Sequence, residues 1–154
     1  MRQFGAIIDD RMVNEIEAVF KQLGGKPALG KAPRTDADLR EAIRAGFPYR
    51  AVEEVMHSTG LTLSELAGAL GISLRSLQRR RGGRLAFDES DRLYRLARIV
   101  AFASYYLGNK ELATRWLKRP NRALGAVPLS LVDTEVGSRN VENVLGRIAF
   151  GGIS

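Results

Sequence analysis

The sequence predicts an all-α fold, and three observations carry that prediction. Apolar residues recur at helical spacing in one segment after another, and no stretch alternates cleanly as a half-buried strand would. Gly and Pro stand where such segments need to stop. With 154 residues and 45% hydrophobic content, the chain can bury a core of its own, as one domain or two small ones sharing it.

The elements follow in order. Met12, Ile16, Val19, Phe20 and Leu23 make one face of a short helix over 10–23, which stops at Gly24 and Gly25. Residues 24–35, GGKPALGKAPRT, are rich in Gly, Pro and Lys and read as a linker or mobile basic arm. Thr35 or Asp36 caps a helix over 37–45 that Gly46 ends, with Pro48 shortly after. A further helix over 48–58 turns Val52, Val55 and Met56 inward. The longest helix covers 88–107, with Ser90 as cap, Asp88, Glu89 and Asp91 at its positive end, and Leu93, Leu96, Ala97, Val100, Ala103 and Leu107 along one face. Gly108 and Asn109 turn the chain into a short helix to Leu117. Trp116 there is expected in the core because of the area it buries. Pro120 and Pro128 bracket an ordered loop. Thr134 caps a last helix over 134–146 with Val141, Val144, Leu145 and Ile148 as its stripe, and GRIAFGGIS then leaves it. Gly137 inside that helix points to close packing or the approach of a partner.

Residues 62–81, TLSELAGALGISLRSLQRRR, hold the most specific local pattern. Thr62 and Glu65 have capping-box spacing, Ala67 is small where two helices cross, and Gly71 suits a tight turn with positive φ. Leu66, Leu70, Ile72 and Leu77 supply buried contacts, and Ser73 caps the second helix. These are the offsets of a helix-turn-helix. Ser73, Arg75, Ser76, Gln78, Arg79 and Arg80 form its candidate reading face, since Arg pairs with guanine, Gln with adenine, and Ser with base or phosphate. Arg81 and Arg84, in the Gly-rich loop that follows, suit phosphates. Arg80 stands where such motifs often keep an apolar residue, so the end of the reading helix is expected to pack less tightly.

Charge supports that placement. The formal net charge is +7, and residues 71–100 carry eight arginines against three acids. Cations clustered in this way are an electrostatic footprint for a polyanion.

Other chemistry finds little support. There is no cysteine, which excludes disulfides and thiolate sites and fits a reducing cytoplasm. The first twenty residues lack the apolar run of a signal peptide, and no run approaches a membrane span. Gly25 to Lys31 has the spacing of a phosphate-binding loop, but Ala32 follows where Ser or Thr is needed, and Pro27 removes an amide. His57 is the single histidine, at a helix end, without partners for a triad or a metal cluster. No enzymatic activity, cofactor or metal is expected.

From about Arg34 onward the chain resembles the Xre/MbcA/ParS antitoxins of bacterial toxin–antitoxin modules, particularly those paired with RES-domain toxins. The match is carried by LAGALGISLRSLQRR (66–80), the DESDRL–RLARI segment (88–99) and ATRWLKRPNRALGAVPLSLVDTEVGSRNVENVLGRIAFG (113–151). The resemblance implies an N-terminal Xre/Cro-like helix-turn-helix domain followed by a small helical toxin-binding domain. The expected division is 1–33 as helix and arm, 34–86 as DNA-binding domain, and 87–154 as toxin-binding domain with an exposed tail. It also implies that the carboxyl end blocks the active site of an NAD-consuming RES toxin, which assigns toxin contact to Arg147, Ile148, Phe150, Gly151, Gly152, Ile153 and Ser154. Expected partners are that toxin, operator DNA and a second copy of the chain, because a palindromic operator needs two reading helices about one helical turn apart. Two other readings share the helix-turn-helix: a stand-alone regulator without a toxin, and an interaction module that has lost DNA binding. The carboxyl series argues against the first, and Arg75, Gln78 and Arg79 against the second.

Overall fold

The computed structural model describes residues 15–151, and every regular element among them is helical. Residues 15–22 form α1, with Val19 and Leu23 buried beneath it. Met12 lies outside the described residues. The stretch expected as a linker instead carries a helix, α2 (Gly25–Leu29), whose Leu29 packs on the core. The reason is local. Gly24 and Gly25 both adopt positive φ to reverse the chain, and Pro27 sits in the first turn, where no amide is needed.

Next come α3 (Asp36–Ala45) and α4 (Tyr49–Thr59), followed by α5 (Leu63–Leu70) and α6 (Leu74–Gln78). Thr35 closes a reciprocal capping box with Asp38 at the start of α3, as the sequence suggests for that cap. The central helix α7 (Phe87–Leu107) is followed by α8 (Lys110–Lys118), a 3-10 turn at Pro128–Leu131, and α9 (Glu135–Gly151). Asn109 caps α8 through Leu112 N, 2.8 Å away.

α7 is the post on which the rest hangs. Leu93, Leu96, Ala97, Ile99, Val100 and Ala103 are buried along it, and α3, α5, α8 and α9 all pack on it. One continuous apolar cluster therefore runs from Val19 to Leu145. Trp116 is half-buried at the margin of this cluster, not enclosed by it. Ser90 does not cap α7. It is fully buried, and its Oγ accepts from Phe47 N at 2.9 Å, while Glu89 takes the capping role toward Ala86 N.

Charged contacts fasten the periphery. Arg98 on α7 reaches Glu142 of α9 at 2.6 Å and Glu15 of α1 at 3.4 Å. Burial pushes the Glu15 carboxyl above its usual range, against the pull of Arg98. Gln22 donates to Ser58, which ties α1 to α4.

The last helix is longer than the sequence indicates. α9 continues to Gly151, so the segment expected to leave it at residue 146 stays helical through that residue. Gly137 is explained by packing: a Cβ there would lie 1.8 Å from the Leu131 carbonyl oxygen.

Candidate functional site

The local chemistry of α5 and α6 accounts for their geometry. Thr62 Oγ1 accepts from Glu65 N at 3.1 Å, and the Glu65 carboxylate accepts from Thr62 N at 3.0 Å. This bonding, led by the Thr62 amide and helped by Lys118, holds the Glu65 carboxyl below its usual range despite partial desolvation. Gly71 ends α5 at φ 68°, and a Cβ there would meet Asp133 at 3.2 Å. Arg92 on α7 donates to the carbonyls of Leu70 and Gly71, so the turn is pinned from behind. Leu66, Ala67, Leu70 and Leu77 are buried, and Ile72 is half-buried. α5 and α6 pack on each other across this turn, in the order that a helix-turn-helix requires.

The expected reading residues divide into two groups. Arg75, Gln78 and Arg79 are exposed, and none takes part in a side-chain hydrogen bond or ion pair among the described residues. Arg81 is exposed on the turn after them. Leu74, 39% exposed, adds an apolar side chain at the start of α6. Such a side chain can meet a thymine methyl. Ser73 and Ser76 are engaged locally: Ser73 Oγ accepts from Ser76 N and donates to Ser76 Oγ.

Arg80 and Arg84 each make a contact within the chain. Helix α6 stops at Gln78, and Arg79 to Arg81 tighten into a turn ahead of Gly82, whose φ is 75°. From that turn Arg80 pairs with Glu89, with Nε to Oε1 at 2.8 Å and Nη2 to Oε2 at 3.4 Å. The end of the reading helix is therefore clamped, where loose packing was expected. Arg84, exposed in the loop where a phosphate contact is expected, donates from Nη1 to Gly46 O at 2.7 Å. Tyr49 N to Gly83 O and Leu85 N to Phe47 O complete this stitch between the loop and the start of α4.

A second exposed surface lies at the end of α9. Val141, Val144 and Leu145 are buried, Ile148 is half-buried, and Arg147 and Phe150 are exposed, Phe150 to 70%. The Phe150 ring stands edge-on to Tyr106 of α7 with centroids 6.2 Å apart, beside Tyr105, which is 80% exposed. Gly151 is the last residue of α9, and Gly152, Ile153 and Ser154 lie outside the described residues. Thr134 Oγ1 caps α9 at Gly137 N, and Arg95 bridges Glu135 and Asp91, so this helix is secured at its start.

Among the described residues no cluster of three or more His, Cys, Asp or Glu side chains is placed to hold a metal. His57 is exposed in the last turn of α4. None of the helices described is long and apolar enough to cross a membrane.

Arg75 or Arg79, if paired with a base edge, is worth about 1–3 kcal/mol. Alanine at either position is expected to weaken binding to duplex DNA by about 5- to 150-fold in titrations at fixed salt. Alanine at Arg84 is expected to lower the melting temperature instead.

Comparison with known proteins gives two family matches. Residues 38–98 match the Antitoxin Xre-like helix-turn-helix domain, and residues 102–151 match the Antitoxin Xre/MbcA/ParS C-terminal toxin-binding domain. Antitoxin Xre of Pseudomonas putida is 42% identical over 148 residues, spanning 94% of this chain and 89% of that protein. Antitoxin Xre of Photorhabdus laumondii is 36% identical over 120 residues, 75% of this chain and 81% of the relative. The Yersinia enterocolitica protein of the same name is 33% identical over 138 residues, with coverage of 87% and 89%.

Proposed function

Because the chain belongs to the Xre antitoxin family, with a helix-turn-helix and a toxin-binding domain, we propose that it neutralises a RES-domain, NAD-consuming toxin and represses its own operon. The observation that carries toxin capture is the end of α9. There an arginine and a 70%-exposed phenylalanine project from a helix whose preceding turns are anchored by Val141, Val144 and Leu145. A rigid helix presenting a cation and an aromatic ring is suited to entering a concave site: the ring fills apolar space, and Arg147 meets an acidic or phosphate-binding group. Occlusion of the toxin's nucleotide pocket is assigned to residues 147–154.

Repression uses α6. Arg75, Gln78 and Arg79 read base edges, Arg81 positions the helix on phosphate, and two copies of the chain place two such helices on a palindromic operator.

Co-expression with the neighbouring toxin gene tests capture. Deleting residues 147–154 is expected to abolish growth rescue and complex formation, and the milder Arg147→Glu variant, at an exposed position, to impair both while melting like the wild type. Full rescue by both variants overturns the assignment. Growth arrest that even the intact chain fails to relieve would favour the stand-alone regulator.

A further inference from the structure

We infer that Arg119 and Arg122, in the carboxyl half of the chain, form a phosphate-binding patch that extends DNA contact beyond the helix-turn-helix. The inference rests on the DNA-binding reading of α5 and α6.

Charge is the first observation. Between Leu112 and Val132 the chain carries Arg115, Lys118, Arg119 and Arg122 without a single Asp or Glu. Its placement is the second. Lys118 Nζ lies 3.2 Å and 3.4 Å from the two carboxylate oxygens' positions on Glu65, the third residue of α5. The end of α8 is therefore fastened to the start of the first helix of the pair. In helix-turn-helix docking that first helix crosses the DNA backbone while the second enters the major groove. Lys118 thereby holds the end of α8, with Arg119 next in the chain, beside the start of α5, the flank where phosphates run in that docking.

Rigidity is the third observation. After Arg119 the chain makes a tight turn closed by Asn121 N to Ala126 O at 2.9 Å and Gly125 N to Asn121 O at 2.9 Å. Asn121 Oδ1 also accepts from Leu124 N. Arg122 rides on that turn, so its backbone is held before any ligand arrives. Lys118 is engaged by Glu65, whereas Arg119 and Arg122 are exposed and have no carboxylate within ion-pair distance among the described residues. Two guanidinium groups on an ordered support suit phosphate oxygens, which arginine meets in bidentate fashion.

The test is a salt series of fluorescence-anisotropy titrations with a duplex bearing the chain's own promoter. It compares the wild type, Arg119→Gln/Arg122→Gln, and the charge-matched control Arg40→Gln/Arg139→Gln, whose exposed arginines lie on α3 and α9. Each lost phosphate contact reduces the slope of log affinity against log salt by about 0.9, so the patch variant is expected to be shallower by about 1.8. The control slope should match the wild type, and both variants should still capture toxin. An unchanged slope in the patch variant overturns the inference, as does an equal change in the control. Lost toxin capture with an intact slope assigns the patch to the toxin instead. A wild-type chain that binds no duplex at low salt removes the DNA reading itself, and this inference with it.

Discussion

Replacing Gly137 with alanine is expected to lower stability by about 3 kcal/mol, although alanine is the better helix former by about 1 kcal/mol. The added Cβ would stand 1.8 Å from the Leu131 carbonyl oxygen, 2.8 Å from its carbon and 3.0 Å from Thr134 Oγ1. The obstacle is backbone, so no side chain can rotate aside. The two segments are also tied to each other: Gly137 N donates to Thr134 Oγ1, and Ser138 Oγ donates to Val132 O. Relief therefore requires α9 to lift from the 3-10 turn that joins it to α8 and α5. Thermal unfolding should show a fall of roughly 6–12 °C for a chain of this size. Toxin capture should weaken with it, since the end of α9 is positioned by that seat. A variant as stable as the wild type, or more stable, would contradict the close approach.

Glu89→Ala and Arg80→Ala are each expected to cost about 2 kcal/mol, by different routes. The routes differ by burial: the Glu89 side chain is 7% exposed and that of Arg80 is 41% exposed, so Arg80→Ala leaves a buried carboxylate without its counter-charge. Glu89 also accepts from Ala86 N at 2.7 Å, so Glu89→Ala strands a helix-start amide. The Arg80 guanidinium left behind in that variant can turn to water, so the amide carries most of the loss. Because this pair joins the turn after α6 to the start of α7, both variants should also loosen α6 and weaken DNA binding. Chemical denaturation checks both costs. A negligible cost for Arg80→Ala would mean that the buried carboxylate does not depend on its partner.

The legibility of these features differed by range. The cap of α3 at Thr35, the capping box of α5 and the turn at Gly71 were readable because each depends on residues within four positions of one another. The buried stripe of α9 at Val141, Val144 and Leu145 was equally plain, since helical periodicity is itself local. The reading of residues 24–35 as a linker failed because glycine and proline break a helix in its middle but suit its start, and only the packing of Leu29 on the core selects between those uses. Ser90 failed as a cap for a related reason: its hydroxyl is drawn to Phe47 N, 43 residues earlier in the chain.

For the candidate site, local spacing and residue type were enough to set the inventory. They supplied a helix-turn-helix with arginine and glutamine on its second helix, and a carboxyl half whose ordered series of residues resembles a toxin-binding domain. Packing between distant segments set which arginines find partners within the chain. Arg80 is committed to Glu89 and Arg84 to Gly46, while Arg75, Arg79 and Arg81 remain exposed. It also carried α9 through to Gly151 and set Lys118 beside the start of α5, 53 residues away in the chain. Helix caps and periodicity are settled between neighbours along the chain. Whether a guanidinium faces water or a carboxylate depends on which distant segment the packing brings within about 4 Å.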